Sequence, residues 1–214
     1  MKIEPAAYSS QGSSQGRIYL LRHGAIRSAD SGKRYVGTQD LALSDIGLGQ
    51  ARAWSHYFSS LSLEAIYCSD LIRCLETASI IGARCGLEPQ ARQQLREVNL
   101  GAWEGQRFDT VKTLDPRSFQ ERGDHIADHH PPGGESFRDL QKRVWPIFEA
   151  AASRRKNQTL IVTHAGVIRV LLCRLLGMPL DYLFRIGQAY GALNIIEVRP
   201  QGYRVQAMNI QPPE

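Results

Sequence analysis

Two hydrophobic rhythms alternate along the chain. Short continuous apolar runs, Ile18-Tyr19-Leu20-Leu21, Ala65-Ile66-Tyr67-Cys68 and Thr159-Leu160-Ile161-Val162-Thr163, leave no polar face. Strands of this kind are buried on both sides, as in a largely parallel sheet covered by helices. Between them, apolar residues recur every three or four positions. Ala51, Trp54, Phe58 and Leu61 do so after the capping pair Ser44-Asp45, and Leu71, Leu75, Ala78 and Gly82 do so after the second run. Phe137, Leu140, Val144, Phe148 and Ala151 define a helix over 136–155, which Pro146 should bend or divide. Leu171, Leu172, Leu175 and Leu176 place a largely buried helix behind the third run. Two last strands, 191–198 and 203–209, flank Pro200-Gln201-Gly202, a turn that implies an antiparallel pair. The alternation predicts an α/β fold, a three-layer α/β/α sandwich around a mixed but mostly parallel sheet.

The breaks in the pattern set the organisation. Residues 1–16 are polar and rich in Ser, Gln and Gly, which reads as a disordered leader without the apolar core of a secretory signal. Residues 17–214 are expected to form a single domain. Within it, 92–107 are irregular, and the chain to Gly134 is interrupted by Pro116, Gly123, Pro131, Pro132 and Gly133. Segments with so little regular structure are often lids or binding elements. The longest apolar stretch, Val167 to Leu176, is too short and too interrupted by arginine to cross a bilayer, so the expected location is cytoplasmic, with no membrane partner.

Charge narrows the ligand class. A net charge of +5 favours anions, but the 26 basic residues are interleaved with acids and form no long run. A phosphorylated small molecule is therefore as good a candidate as a polymer, and no nucleic-acid partner is expected because no contiguous basic stripe is visible. The four cysteines (Cys68, Cys74, Cys85, Cys173) include no CxxC pair and read as buried free thiols.

The candidate chemistry lies where strands end. Ligands of open α/β sheets bind beyond the carboxyl ends of the strands, and the first run ends in Arg22-His23-Gly24, the third in His164-Ala165-Gly166. The second leads through Ser69-Asp70 to Arg73. Gly24 removes a Cβ where the chain must turn and where an anion could approach the backbone.

Four stretches in register carry a family resemblance: Leu21-Arg22-His23-Gly24, Ser69 to Ala78, Arg96 to Gly105, and Val162 to Arg169. Tyr35-Val36-Gly37, Asp40 to Gln50 and Pro132 to Ser136 add weaker matches. In these the chain resembles the histidine phosphatase, or phosphoglycerate mutase-like, superfamily. The resemblance implies that His23 is the nucleophile that becomes phosphorylated, that Arg22, Arg73 and His164 hold the phosphoryl group, and that Glu97 is the general acid. It also implies a small cap over the active site, at about 106–134, and a reaction needing neither metal nor other cofactor. The residue types suit such work: arginine offers planar, permanently charged donors to phosphoryl oxygens, and a neutral imidazole can attack phosphorus. Glu104, seven residues after Glu97, is the alternative acid.

The element Leu100-Gly101-Ala102-Trp103-Glu104-Gly105 is similar to the phosphatase branch, that of broad-specificity and α-ribazole phosphatases. The expected activity is hydrolysis of a small phosphorylated metabolite, with α-ribazole 5'-phosphate one candidate. Mutase-type phosphoryl transfer and a non-catalytic phosphate-binding protein are the alternatives. Many relatives carry Glu-Thr after the glycine and an asparagine five residues beyond it. Here Ala25, Ile26 and Ala29 stand there, so a polar contact to phosphate is either missing or supplied elsewhere, with Lys33, Arg34 and Tyr35 as candidates. His125, Asp128, His129 and His130 match no defensible metal spacing and read as cap surface or substrate contacts.

Overall fold

Alternation along the strands creates the layers. A computed structural model describes residues 16–27, 33–153 and 158–213. The strands are β1 (Arg17–Arg22), β2 (Leu63–Cys68), β3 (Gln90–Ala91), β4 (Gln158–Thr163), β5 (Leu193–Arg199) and β6 (Gly202–Ile210). They form one sheet in the order β3-β2-β4-β1-β5-β6. β1, β2, β3 and β4 run parallel, while β5 is antiparallel to both β1 and β6. The two-residue β3 is an addition to the expected strands. It lies within the stretch between helix and irregular segment, too short to leave a periodic signature.

Ile18 and Leu20 of β1 point to one side of the sheet, Tyr19 and Leu21 to the other. On the Tyr19 side lie α1 (Asp45–Ser59) and α2 (Ile72–Cys85), which insert Trp54, Phe58, Ala78 and Ile81. On the Ile18 side lie α5 (Phe137–Ala152) and α6 (Ala165–Leu176), which contribute Leu140, Phe148, Val167 and Leu171. Fully burying a side chain such as Phe58 stabilises the fold by about 1.5–3 kcal/mol. The sequence reading placed Leu61 on the α1 helix. The helix ends at Ser59, and Leu61 instead packs on this core from the turn that follows.

The helix starts have identifiable caps. Ser44 Oγ accepts from the Gly47 N–H (3.2 Å) at the start of α1, and Ser136 with Asp139 forms a reciprocal capping box on α5. α2 has no capping side chain of its own, and Asp40, distant in sequence, accepts from the Ile72 N–H (2.6 Å) instead. α5 runs through Pro146 without a break. Pro146 and Lys142, the residue whose carbonyl loses its helical partner, are both exposed, so water can satisfy that carbonyl.

Between α2 and α5 the chain forms single 3-10 turns at Gln93–Leu95 and Gly101–Trp103, then the short helices α3 (Phe108–Leu114) and α4 (Pro116–Asp124). The segment read as irregular and interrupted thus holds only short helical pieces. Residues 1–15, most of the expected leader, lie outside the described residues, as do Ala29 and the basic cluster Arg154-Arg155-Lys156. Among the described residues no helix is long and apolar enough to cross a membrane. Cys68, Cys74 and Cys173 are buried free thiols, whereas Cys85 at the end of α2 is only half-buried.

Candidate active site

β1 and β4 are neighbours, and their register pairs Arg22 with Thr163. One residue further on, His23 and His164 therefore leave the sheet side by side. The His23 N–H donates to the Thr163 carbonyl (2.9 Å), and the two rings stand 5.1 Å apart, inclined at 63°. Arg73 arrives from the first turn of α2, beyond β2. Its Nε–H is shared between His23 Nε2 and His164 Nδ1, each at 3.2 Å. All three side chains are buried, Arg73 with 1% of its surface exposed.

Hydrogen bonding selects the reactive nitrogen. His23 Nδ1 lies 2.8 Å from the Gly24 carbonyl, which can only accept, so Nδ1 carries the proton and Nε2 keeps its lone pair. Burial, then the charges of Arg73 and Arg22, hold the His23 pKa well below its ordinary 6.5. Burial and Arg73 do the same for His164. Both rings are thus neutral at physiological pH. Stability that depends on their staying neutral is fully present above the ordinary value of 6.5 and is lost as pH falls through the lowered folded-state values. In an NMR titration of the ring protons, neither histidine is expected to protonate near pH 6.5.

The arginines are held by backbone carbonyls. Arg22 donates from an Nη to the Gln188 carbonyl (2.7 Å) and its Cζ lies 3.7 Å over the Tyr190 ring, while its buried Nε has no partner among the described residues. Arg73 donates to the carbonyls of Gln39 (2.5 Å) and Gly37 (2.7 Å), leaving one N–H on each terminal nitrogen. Glu104 builds the turn that supplies those carbonyls. Its carboxylate accepts from the N–H groups of Gly37 (3.1 Å), Thr38 (2.7 Å) and Leu100 (3.2 Å) and from Thr38 Oγ1 (3.0 Å).

Glu97 is buried differently. Oε2 accepts from the Gly166 N–H (2.9 Å) in the first turn of α6, and Oε1 from the Val98 N–H (3.0 Å). Its charge acts favourably on Arg22 and Arg169. Arg143 of α5 fixes this segment by donating to the carbonyls of Gln94, Arg96 and Glu97, and Thr163 Oγ1 donates to the Leu95 carbonyl (2.8 Å).

The structure thus brings Arg22, His23, Arg73, Glu97 and His164 to one end of the sheet. Gly24 stands there too, for a different reason from anion approach. Its N–H donates to Thr77 Oγ1 (3.2 Å), and a Cβ would lie 2.5 Å from the Gly47 carbonyl oxygen. The glycine lets β1 and the start of α1 come together. Two of the proposed compensating residues are committed elsewhere: Tyr35 is buried and stacks on Phe108 at 4.1 Å, and Arg34 donates to the Gly105 carbonyl (2.9 Å). Ala25 and Ile26 pair with the segment before α1.

His129 meets Ser118 Oγ (3.2 Å) and stacks on the buried Trp103, His130 pairs with Asp139 (2.6 Å), Asp128 pairs with Arg138, and His125 is exposed. Among the described residues no group of three or more His, Cys, Asp or Glu is placed to hold a metal ion. Gln188, Tyr190 and Arg143 escaped the sequence reading. None belongs to a matched stretch, and only the glycines around 187–191 marked a loop there.

The chain is similar over most of its length to known proteins. The glucosyl-3-phosphoglycerate phosphatase of Mycolicibacterium vanbaalenii is 32% identical over 173 residues, covering 77% of this chain and 76% of its own. Phosphoglycerate mutase-like protein 4 of Arabidopsis thaliana is 31% identical, covering 79% and 75%. The crystal structure of the α-ribazole phosphatase from Shigella flexneri superposes with a TM-score of 0.81 at 25% identity, over 90% of this chain and 96% of that one. The profile of the histidine phosphatase superfamily (branch 1) matches residues 18–211. With nearly the whole described chain inside that match, the protein belongs to branch 1 of the histidine phosphatase superfamily.

Proposed function

We propose that the protein hydrolyses phosphomonoesters through a phosphohistidine on His23, without a metal ion. The observation that carries this reading is the pair of buried neutral imidazoles sharing one guanidinium N–H, with the His23 lone pair fixed on Nε2. An entering phosphoryl group takes over the Arg73 Nε–H and meets the unpartnered Arg22 Nε–H. Its charge offsets that of the arginines, which favours a protonated, donating His164.

The His23 Nε2 lone pair then forms the N–P bond as the ester P–O bond breaks, and the leaving oxygen takes a proton from the Glu97 carboxyl. In the second half, Glu97 takes a proton from water. The resulting hydroxide attacks phosphorus, and the N–P bond returns its pair to Nε2. Positioning and charge stabilisation dominate phosphoryl transfer, and here arginine donors supply both.

Relatives named for a sugar-linked phosphoglycerate, for α-ribazole and for mutase-like activity leave several small phosphate esters as substrates. The test is release of inorganic phosphate from α-ribazole 5'-phosphate, 3-phosphoglycerate and p-nitrophenyl phosphate in excess chelator. Turnover that needs an added divalent ion would discard the metal-free mechanism.

Gly166 offers a second check. A Cβ there would collide with Glu97 Oε1 and come within 3.1 Å of its Cδ. Gly166→Ala should displace the carboxylate and lower kcat by about a hundredfold, the effect expected of a misplacement near 1 Å. Phosphate affinity should change little, and comparing kcat with the dissociation constant of inorganic phosphate separates the two.

A further inference from the structure

In the buried part of β5, Leu193-Asn194-Ile195-Ile196, a single polar side chain stands among apolar ones, and none of its surface is exposed. Asparagine is depleted in strands, and a buried amide is costly unless its polar atoms are bonded. Those of Asn194 are fully engaged. Nδ2 donates to the Leu20 carbonyl (3.1 Å) and to Gln188 Oε1 (3.0 Å), while Oδ1 accepts from Gln188 Nε2 (2.8 Å) and from the Asn209 N–H (3.0 Å). A carbonyl can only accept and a backbone N–H can only donate, so Leu20 and Asn209 fix which end of the amide is which. The buried Gln188 amide is oriented in its turn.

These contacts converge on the loop that holds Arg22. The Gln188 side chain pairs with Asn194, and its main-chain carbonyl accepts from an Nη of Arg22 (2.7 Å). The next residue, Ala189, donates its N–H to Asn209 Oδ1 (2.8 Å). Asn209 reaches both partners because its backbone is left-handed (φ 55°) where the β5–β6 register shifts, a conformation that asparagine adopts more readily than most residues. Leu20 lies two residues before Arg22 on β1. Asn194 therefore ties the strand that carries Arg22 to the loop that receives its side chain. With one Nη on the Gln188 carbonyl, the buried Nε of Arg22 is left without a partner among the described residues.

We infer that Asn194 is a positioning residue for phosphate: acting through the Gln188 carbonyl, it holds the Arg22 guanidinium where Nε–H meets the phosphoryl group. A leucine of similar size would fill this strand position with no hydrogen bonds to satisfy, so what the amide adds is direction. The inference rests on the phosphoryl-binding role proposed for Arg22, and it assigns the aim of that arginine to a residue on another strand.

The experiment is a double-mutant cycle read by the dissociation constant of inorganic phosphate, from an NMR titration of each protein. Arg22→Met should weaken binding about ten- to a hundredfold, the scale of a hydrogen bond to a charged group. Asn194→Leu should weaken it about tenfold in the wild-type background but less than about twofold beside Arg22→Met, because residues acting through one partner are not additive. Gln188→Met cuts the same link from the other side and should repeat the pattern; it carries the cycle if Asn194→Leu does not fold. A purely structural role gives the same loss in both backgrounds, since a general loosening of the site does not depend on Arg22. That additivity would overturn the inference, as would phosphate affinity unchanged in Arg22→Met or in the Asn194→Leu and Gln188→Met proteins. Non-additive losses in a protein that does not turn over p-nitrophenyl phosphate would instead discard the phosphatase mechanism and leave the positioning role standing.

Discussion

His23→Ala is expected to lower turnover by on the order of 10⁴-fold or more, because no second side chain presents a free nitrogen to the same phosphorus. His164 is the nearest candidate, but its Nδ1 faces the shared Arg73 N–H and its Nε2 lies 3.5 Å from Cys74 Sγ. The substituted protein should still bind inorganic phosphate, since Arg22 and Arg73 are anchored by carbonyls of Gln188, Gln39 and Gly37 and not by His23 alone. Rapid alkaline quenching of the wild type during turnover should trap a phosphoramidate, stable to base and labile to acid, on a peptide containing His23. A folded His23→Ala protein with normal turnover would end the covalent mechanism. So would a phosphorylated residue other than His23.

Replacing the two glutamates should separate by leaving group. Glu97→Gln is expected to slow alkyl phosphates by about 10²–10⁴-fold, the usual range for general acid-base catalysis. p-Nitrophenyl phosphate, whose leaving oxygen departs without a proton, should lose far less in the phosphorylation step. Its dephosphorylation is still slowed, because the same carboxylate activates water, so burst kinetics are read beside steady-state rates. Glu104→Gln should show no dependence on the leaving group. Its carboxylate is engaged by four donors around Gly37, Thr38 and Leu100, and exchanging one oxygen for NH₂ sets a donor against donors. The expected loss is in stability and in the placement of Arg73, seen as a lower melting temperature and weaker phosphate binding. A leaving-group dependence at Glu104 and none at Glu97 would move the acid to the Trp103-Glu104-Gly105 element.

The layers of the fold were legible in the chain because burial on both faces of a strand, or on one face of a helix, is a local property with its own period. Ile18 to Leu21, Ala65 to Cys68 and Thr159 to Thr163 declared buried strands. Ser44 and Ser136 declared helix starts, and the order of elements then implied a covered, mostly parallel sheet. The site residues were legible for another reason: Arg22-His23, Arg73, Glu97 and His164 lie in short stretches whose order and spacing resemble one family. Local pattern could not say which strands touch. His23 and His164 are 141 residues apart, and only the parallel pairing of β1 with β4, in the register that sets Arg22 against Thr163, makes them neighbours. Side-chain commitments were equally hidden. That Glu104 serves a turn while Glu97 rests on the first turn of α6, that Tyr35 is core, and that Gln188 and Tyr190 hold Arg22 all follow from contacts between distant segments. Hydrogen bonds and desolvation depend on what surrounds a group in space. The period of a sequence records only which side of its own element a residue faces.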